Sequence, residues 1–437
     1  MTHLLRQLLR RTTSPDPVIG IDLGRDAVRM LQIETSDDGV AHLVAAARRD
    51  LRVHRRGASQ ADPLAQLEAG MEAVADLLRR GSFKGRRVVA AIPRVAPQFR
   101  TLRLNVSEPG ELPRMLAREA RTALGIDVTN GQYIVHFLPG DTLRRGAETH
   151  QEGQLVVVRK RDVELFTARL HDCGAEVAAL DLEPLSLYRS VHRFSRRRRD
   201  AQDVQVLVDI GTRSTQVVIG RAGRIGFHKS ISIGTETMHA AIARKLDLDA
   251  AEAAALCRKL EQQVHEAARR GTIHDLDGDP LHRAAFTAAR ATVEDLAREL
   301  SLCLRYYCVT FRCKRPDRVL LCGTAAEDSR LWRDLGAALP VPVQPRRPMR
   351  DVRVPNHLAD LVNERPEEWT TALGLALRFS PAGLAGQAGL SRDAQAQADS
   401  RAEADAEFEG PLRRATEAQA AAIAGRNTAE AEELSHA

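Results

Sequence analysis

Two stretches far apart in this chain carry the same local pattern. Val18-Ile19-Gly20-Ile21-Asp22-Leu23-Gly24-Arg25-Asp26-Ala27-Val28 and Leu207-Val208-Asp209-Ile210-Gly211-Thr212-Arg213-Ser214-Thr215-Gln216-Val217 each read as strand, tight turn, strand. In both, a β-rich run delivers an Asp and then a Gly at its end, polar residues make the turn, and apolar residues resume. The glycine lets backbone come close to a bound group. Successive amides in such a turn point into one concavity that suits phosphate oxygens, and the preceding Asp can hold a hydrated magnesium ion beside them. One such turn says little, because Asp-x-Gly is common in β-rich chains. Two matched hairpins, one near the start of each half, could grip the phosphates of one nucleotide from both sides of a cleft.

Composition sets the frame for that idea. The chain has 437 residues, 43% hydrophobic and 28% charged, which is enough for two or three domains with real cores and too apolar for general disorder. The formal net charge of +6 shows only modest local clustering, so no nucleic-acid partner is expected. Residues Met1 to Thr13 set Leu4, Leu5, Leu8 and Leu9 among Arg6, Arg10 and Arg11, without the apolar core of a signal peptide. They read as a frayed terminus or a short basic amphipathic helix. No stretch reaches membrane-spanning length, and the expectation is a cytoplasmic protein. Cys303, Cys308 and Cys313 are spaced too widely for a metal knuckle, and no His falls in a metal-binding pair.

Two further elements complete a set. Ala179-Leu180-Asp181-Leu182-Glu183-Pro184-Leu185-Ser186-Leu187 places Glu-Pro ahead of a helix, and Arg318-Val319-Leu320-Leu321-Cys322-Gly323-Thr324 reads as a strand with a glycine before the helix Asp328 to Leu339. In this order, the four elements resemble the phosphate 1, connecting, phosphate 2 and adenosine motifs of the actin, heat-shock chaperone and sugar kinase superfamily. The resemblance implies an α/β, actin-like two-lobed ATPase fold with ribonuclease H-like lobes.

The segment between the first hairpin and Glu183-Pro184 narrows the branch. Strands at Arg87 to Pro93 and Phe99 to Leu104, a helix at Glu111 to Leu124 stopped by Gly125, strands at Gln132 to Leu138 and Gln154 to Val158, and a helix at Arg161 to Cys173 make a small α+β subdomain inserted in lobe one. This order resembles the PilM-like family of type IV pilus assembly proteins, whose extra subdomain sits where that of the cell-division protein FtsA does. Ile231-Ser232-Ile233-Gly234-Thr235-Glu236 opening a helix, the long helix Thr292 to Phe311 with Tyr306 and Tyr307, and Thr371-Ala372-Leu373-Gly374-Leu375-Ala376-Leu377-Arg378 extend the likeness across Val18 to Arg378. The domain reading is a basic segment at 1–17, lobe one at 18–195 with its insert at about 87–168, lobe two at 196–380, and an Ala- and Glu-rich tail at 381–437.

By this resemblance, ATP and magnesium are the expected cofactors. Asp22 and Asp209 would hold the metal, and Asp209 and Glu183 would carry catalysis, with Glu183 orienting the attacking water. Gly24, Arg25, Gly211, Thr212, Ser214, Thr215, Gly323 and Thr324 would line the nucleotide. The sequence departs from the pattern twice. Arg25 and Asp26 stand where relatives place hydroxyls, and Thr324, Ala325 and Ala326 follow Gly323 where relatives have a second glycine. An Asp carboxylate repels a triphosphate unless Arg25 or magnesium compensates. ATP binding is therefore expected ahead of efficient hydrolysis. Without a nucleotide, Asp22 and Asp209 would be strand-end residues and Glu183 a carboxylate at a helix start.

The same resemblance implies a scaffold for type IV pilus or related secretion-system assembly, peripheral to the inner membrane. Its partners would be the N-terminal peptide of a PilN-type membrane protein, held in a groove between the insert and the rest of lobe one, and other pilus or secretion assembly proteins; a homo-oligomer is left open. An FtsA-like filament former and a small-molecule kinase are the alternatives. Arg196-Arg197-Arg198-Arg199 reads as a solvated basic loop, and 271–280 as an acidic loop without calcium-loop spacing.

Overall fold

A computed structural model describes residues 17–36, 40–51, 63–93, 97–105, 111–145, 148–192, 203–272, 276, 278–311, 315–323, 325–326 and 329–379. The N-terminal segment, the Arg196–Arg199 run, Thr324 and the tail at 381–437 lie outside the described residues, as does part of the 271–280 loop.

Lobe one is a six-stranded sheet in the order β14-β3-β2-β1-β4-β8. Its members are β1 (Ile19–Leu23), β2 (Ala27–Thr35), β3 (Ala41–Asp50), β4 (Arg87–Ala91), β8 (Glu176–Asp181) and β14 (Val352–Arg353). Strands β1, β2 and β3 run antiparallel, and β4 and β8 join β1 in parallel. Both faces are covered, which is why β2 is buried along most of its length rather than alternating. One face packs Ile19, Ile21, Val28 and Met30 against helices α1 (Pro63–Arg80) and α3 (Lys160–Asp172). Leu31, Ile33 and Leu43 pack instead with Trp369, Ala372 and Leu373 of the chain's closing segment.

Lobe two repeats the plan. Its five-stranded sheet runs β11-β10-β9-β12-β13, built from β9 (Gln205–Ile210), β10 (Thr215–Arg221), β11 (Arg224–Ile231), β12 (Val319–Cys322) and β13 (Val343–Pro345). Val206, Val208 and Ile210 face α5 (Thr235–Leu246), α6 (Ala250–Arg270), α7 (Pro280–Phe311) and α8 (Ser329–Ala338). On the opposite face, Leu207, Val218 and Ile225 pack with Leu187, Tyr188 and Val191 of α4 (Glu183–His192). The two-lobed α/β fold expected from the sequence is the fold observed.

The lobes exchange a helix. Helix α4 leaves the lobe-one strand β8 yet covers the lobe-two sheet, while α10 (Thr370–Ala376), reached through α9 (Asn356–Glu364), comes after lobe two yet covers lobe one. The sequence reading put everything from 196 to 380 in lobe two. Residues from Met349 onward instead return to lobe one, because β14 pairs with β3 and Trp369 fills the lobe-one core.

The insert is narrower than 87–168. It comprises β5 (Gln98–Asn105), α2 (Leu112–Leu124), β6 (Tyr133–Arg145) and β7 (Glu148–Arg159), with the sheet ordered β5-β7-β6. Strand β4 is hydrogen-bonded into the lobe-one sheet, and Phe166 and Leu170 tie α3 to the lobe-one core, so the boundaries at Arg87 and Ala168 overreach on both sides. One face of the insert is covered by α2 through Leu102, Leu104, Leu116 and Ala120. Its other face packs Leu138, Val156 and Val158 on Leu182 and Val163, which fills part of the space expected to be a groove. That face also meets β11 and the end of α7 of lobe two: Gln154 Nε2 donates to the Gly226 carbonyl of β11 at 2.9 Å, Arg103 Nη2 to the Thr310 carbonyl of α7 at 3.1 Å, and Phe99 stands edge-on to His228 of β11 at 4.4 Å.

Where α4 and α10 cross, backbone meets backbone. A Cβ on Gly374 would run into the Ser186 carbonyl, and one on Gly20 of β1 would run into the Ala372 carbonyl. Gly374→Ala is therefore expected to destabilise the protein by about 3 kcal/mol in urea unfolding, since overpacking against backbone leaves no side chain free to yield. Gly336→Ala in α8, whose Cβ would sit 3.8 Å from Val343, should be neutral or slightly stabilising in the same measurement.

Candidate functional site

The first hairpin closes over a buried cation. Strand alternation puts Gly20 and Asp22 on the face that α10 covers, and Arg29 lies directly opposite Asp22 in the antiparallel register. Arg29 is only 3% exposed. Its Nη2 bonds Glu368 at 2.6 Å and Asp26 at 2.8 Å, its Nε bonds Glu368 at 2.9 Å, and its Nη1 lies 3.7 Å from Asp22 and 3.4 Å from the Ala27 carbonyl. A Cβ on Gly24 would stand 2.7 Å from Nη1, so this glycine is needed for the turn to wrap the guanidinium. The Arg25 carbonyl accepts a bond from Gln66 of α1 at 2.9 Å.

Burial works against the charge on Arg29, yet Asp26, Glu368 and Asp22 outweigh it and raise its pKa. Burial likewise opposes ionisation of Glu368, but Arg29, Arg48 and Arg365 hold it down at about 2. The neighbouring Glu367 fares differently. Its Oε2 is buried without a hydrogen-bond partner, and burial pushes its pKa up to about 7 against the pull of Arg347.

The second hairpin has the same backbone pattern and different partners. Alternation puts Asp209 on the face of Leu207, the one α4 covers, and Asp209 is buried. Gly323 follows β12 at φ +87°, where a Cβ would stand 2.7 Å from Asp209 Oδ1 and 2.5 Å from the Ile210 carbonyl. Only glycine accepts both that dihedral and that approach. Glu183, the first residue of α4, is also buried. Asp209 and Glu183 both act electrostatically on the buried Cys322 thiol, whose pKa is raised by its burial and by these carboxylates. The structure thus gathers Asp209, Gly323 and Glu183 around the end of β12.

The turn itself is partly committed. The Gly211 amide bonds the Ser214 carbonyl at 3.1 Å, while the Gly211 and Thr212 carbonyls accept the first amides of α5, from Thr235 at 3.1 Å and Glu236 at 2.8 Å. The Ser214 hydroxyl lies 3.4 Å from Gln216 Nε2. Thr215 is fully buried and its hydroxyl donates to the Ile233 carbonyl at 2.7 Å, which takes it out of the phosphate-facing set expected from the sequence.

One turn links the two halves. The 3-10 turn Pro366–Trp369 carries Glu368 to Arg29 in lobe one, and its Glu367 carbonyl accepts the Gly323 amide of lobe two at 3.4 Å. Sequence reasoning missed Arg29 and Glu368. A lone arginine inside the apolar run of β2 was a signal for the first. Nothing local marks the second, which lies 339 residues further along the chain.

The fit to a nucleotide differs between the halves. In lobe two, Gly211, Thr212 and Ser214 are half-buried next to Asp209, a donor set compatible with phosphate and a cation. In lobe one, the hairpin's cation is already engaged by three carboxylates, and the residues as arranged do not fit an added polyphosphate. Among the described residues no cluster of three or more His, Cys, Asp or Glu side chains is placed to hold a metal ion.

No family model matches the sequence, and no curated protein matches it. Among solved structures, a chain of the PilM–PilN type IV pilus biogenesis complex aligns at TM-score 0.66 with 20% identity, over 83% of this chain and 98% of that one. The ethanolamine utilization protein EutJ from Carboxydothermus hydrogenoformans aligns at 0.45 with 16% identity, over 86% and 96%. The activator of 2-hydroxyisocaproyl-CoA dehydratase from Clostridium difficile, solved with bound ADPNP, aligns at 0.35 with 12% identity, over 86% and 98%. The first likeness establishes the fold: this is a PilM-like, actin-like two-lobed architecture.

Glu367 yields a pH-dependent prediction. An acid whose pKa is higher folded than unfolded favours the fold while protonated, and that contribution is lost as pH rises toward the folded value. From the ordinary 4.5 to about 7, the loss amounts to about 3 kcal/mol. Glu367→Gln should then raise the thermal midpoint at pH 8 by at least about 3 °C and leave it nearly unchanged at pH 4.5 in scanning calorimetry. Equal shifts at both pH values would mean that the carboxyl is solvated.

Proposed function

We propose that this chain is an actin-fold scaffold for assembly of a type IV pilus or a related secretion machine, docked on the cytoplasmic face of the inner membrane through a PilN-type partner. The observation that carries the reading is the chain-wide likeness to a structure of the PilM–PilN complex, which takes in 98% of that chain. A peripheral position is consistent with the described helices, none of which is long and apolar enough to cross a membrane.

The insert offers the means of docking. Strands β5 and β6 are its two edges, and among the described residues no further strand is paired to either. An extended peptide can add to such an edge through main-chain hydrogen bonds, with its alternate side chains seated in neighbouring pockets. Because Leu138, Val156 and Val158 pack on Leu182 and Val163 at the seam with lobe one, and Gly140 of β6 lies against Arg224 of β11, the reading puts the peptide on the β5 edge. Because this face also contacts β11, a peptide bound to the insert would be felt by both lobes. A nucleotide is not required for the reading.

The test joins genetics to binding. Deletion of the gene is expected to abolish surface pili or the corresponding secretion, with recovery on complementation. A fluorescent N-terminal peptide of the genome's PilN-type membrane protein should bind the purified chain with a Kd of about 1–10 μM by anisotropy. Intact pili after deletion, together with no peptide binding, would remove the proposal.

A further inference from the structure

We infer that Glu368 stands in for a nucleotide's phosphate on Arg29, so that the lobe-one half of this actin-like clamp is complete without a nucleotide. The inference goes beyond the scaffold reading and does not depend on the partner. It rests on how fully the guanidinium is used. Nη2 and Nε both meet Glu368 Oε2, Nη2 also meets Asp26 Oδ2, and Nη1 is taken by the Ala27 carbonyl with Asp22 close by. A carboxylate on two guanidinium nitrogens makes the kind of charge-assisted contact that a phosphate oxygen would make.

Glu368 is itself fixed from several sides. Arg48 Nε lies 3.4 Å from its Oε2, and Arg365 Nη1 lies 3.3 Å from its Oε1. The cation surplus that a polyphosphate needs is therefore absent around this hairpin even with Arg25 of the turn counted: Arg25, Arg29, Arg48 and Arg365 stand against Glu368, Asp26, Asp22 and Asp50. The turn adds to the mismatch, because Asp26 places a carboxylate in the turn itself, where it repels an added phosphate. Both key glycines are explained by intramolecular approach. Gly24 clears Arg29, and Gly323 clears Asp209 and Ile210. The turn that delivers Glu368 also holds the Gly323 amide, so one internal segment bridges the two hairpins as a shared ligand would.

The experiment is calorimetric titration of the full chain with Mg-ATP, comparing wild type, Glu368→Gln and Asp26→Ser. Wild type should bind no tighter than about 1 mM, and each variant should gain at least about tenfold in affinity, with the wild-type thermal midpoint unmoved at about 0.1 mM Mg-ATP. Asp26 is partly exposed, so Asp26→Ser keeps the test open if Glu368→Gln does not fold. Micromolar binding by wild type, unchanged or weakened in the variants, would overturn the inference. Absence of binding in all three proteins would overturn it too, since freeing Arg29 should then have exposed a phosphate site. Peptide binding by the insert is unaffected in any of these outcomes, so failure here and failure of the scaffold reading are told apart.

Discussion

The crossing of α4 and α10 is the constraint on which the rest of the architecture hangs. Each helix follows one lobe in sequence and covers the sheet of the other, so neither lobe has a complete core alone. The helices can touch only because Gly374 brings no side chain between its backbone and the Ser186 carbonyl. Polar groups then pin the contact. Arg189 Nη1 bonds the Gly374 carbonyl at 2.8 Å and Asp181 at 2.9 Å, and Arg378, just past α10, reaches Asp181 at 3.1 Å. Burial opposes the charge on Asp181, but these two arginines and the Leu182 amide hold its pKa below the ordinary range. Removing one partner of such a buried group typically costs about 3–5 kcal/mol, which makes the crossing sensitive to single changes.

The hairpins inherit their surroundings from that exchange. Asp22 and Asp209 occupy equivalent places at the ends of equivalent strands, and each points to the face that a crossing helix covers. What they meet there is unlike. Asp22 meets an arginine already shared with Glu368 and Asp26, whereas Asp209 meets Gly323 and the neighbourhood of Glu183. A pattern repeated in sequence has become two chemically different surroundings, one built on a buried arginine shared by three carboxylates and one gathered around Gly323 at the end of β12.

The insert adds a second link between the lobes. Its sheet is built into lobe one by its chain connections and rests on lobe two, on β11 through Gln154 and Phe99 and on α7 through Arg103. Glu152, which is 1% exposed, pairs with Arg103 beneath this seam. Rotation of one lobe against the other would have to break these bonds or carry the insert along. Two sites that bias one such element are coupled by linkage, whatever ligand each takes.

Much of this was legible along the chain. Strand-turn-strand repeats are local, so both hairpins, the Gly125 helix stop and the helix opening at Gly234-Thr235 could be read from neighbouring residues. The helix expected at Thr292 to Phe311 is the second part of α7, which begins earlier at Pro280, and its Val293, Leu296, Leu300, Cys303 and Tyr307 are buried along one stripe. The sequence thereby determined the element order and the two-lobed plan. It could not decide where the closing segment packs, since β14 and Trp369 are assigned to lobe one only by partners hundreds of positions earlier. Nor could it decide the charge state of the first hairpin. That depends on Glu368 meeting Arg29, and a long-range ion pair leaves no periodicity or spacing in either stretch; only the folded chain brings the two charges within hydrogen-bonding reach.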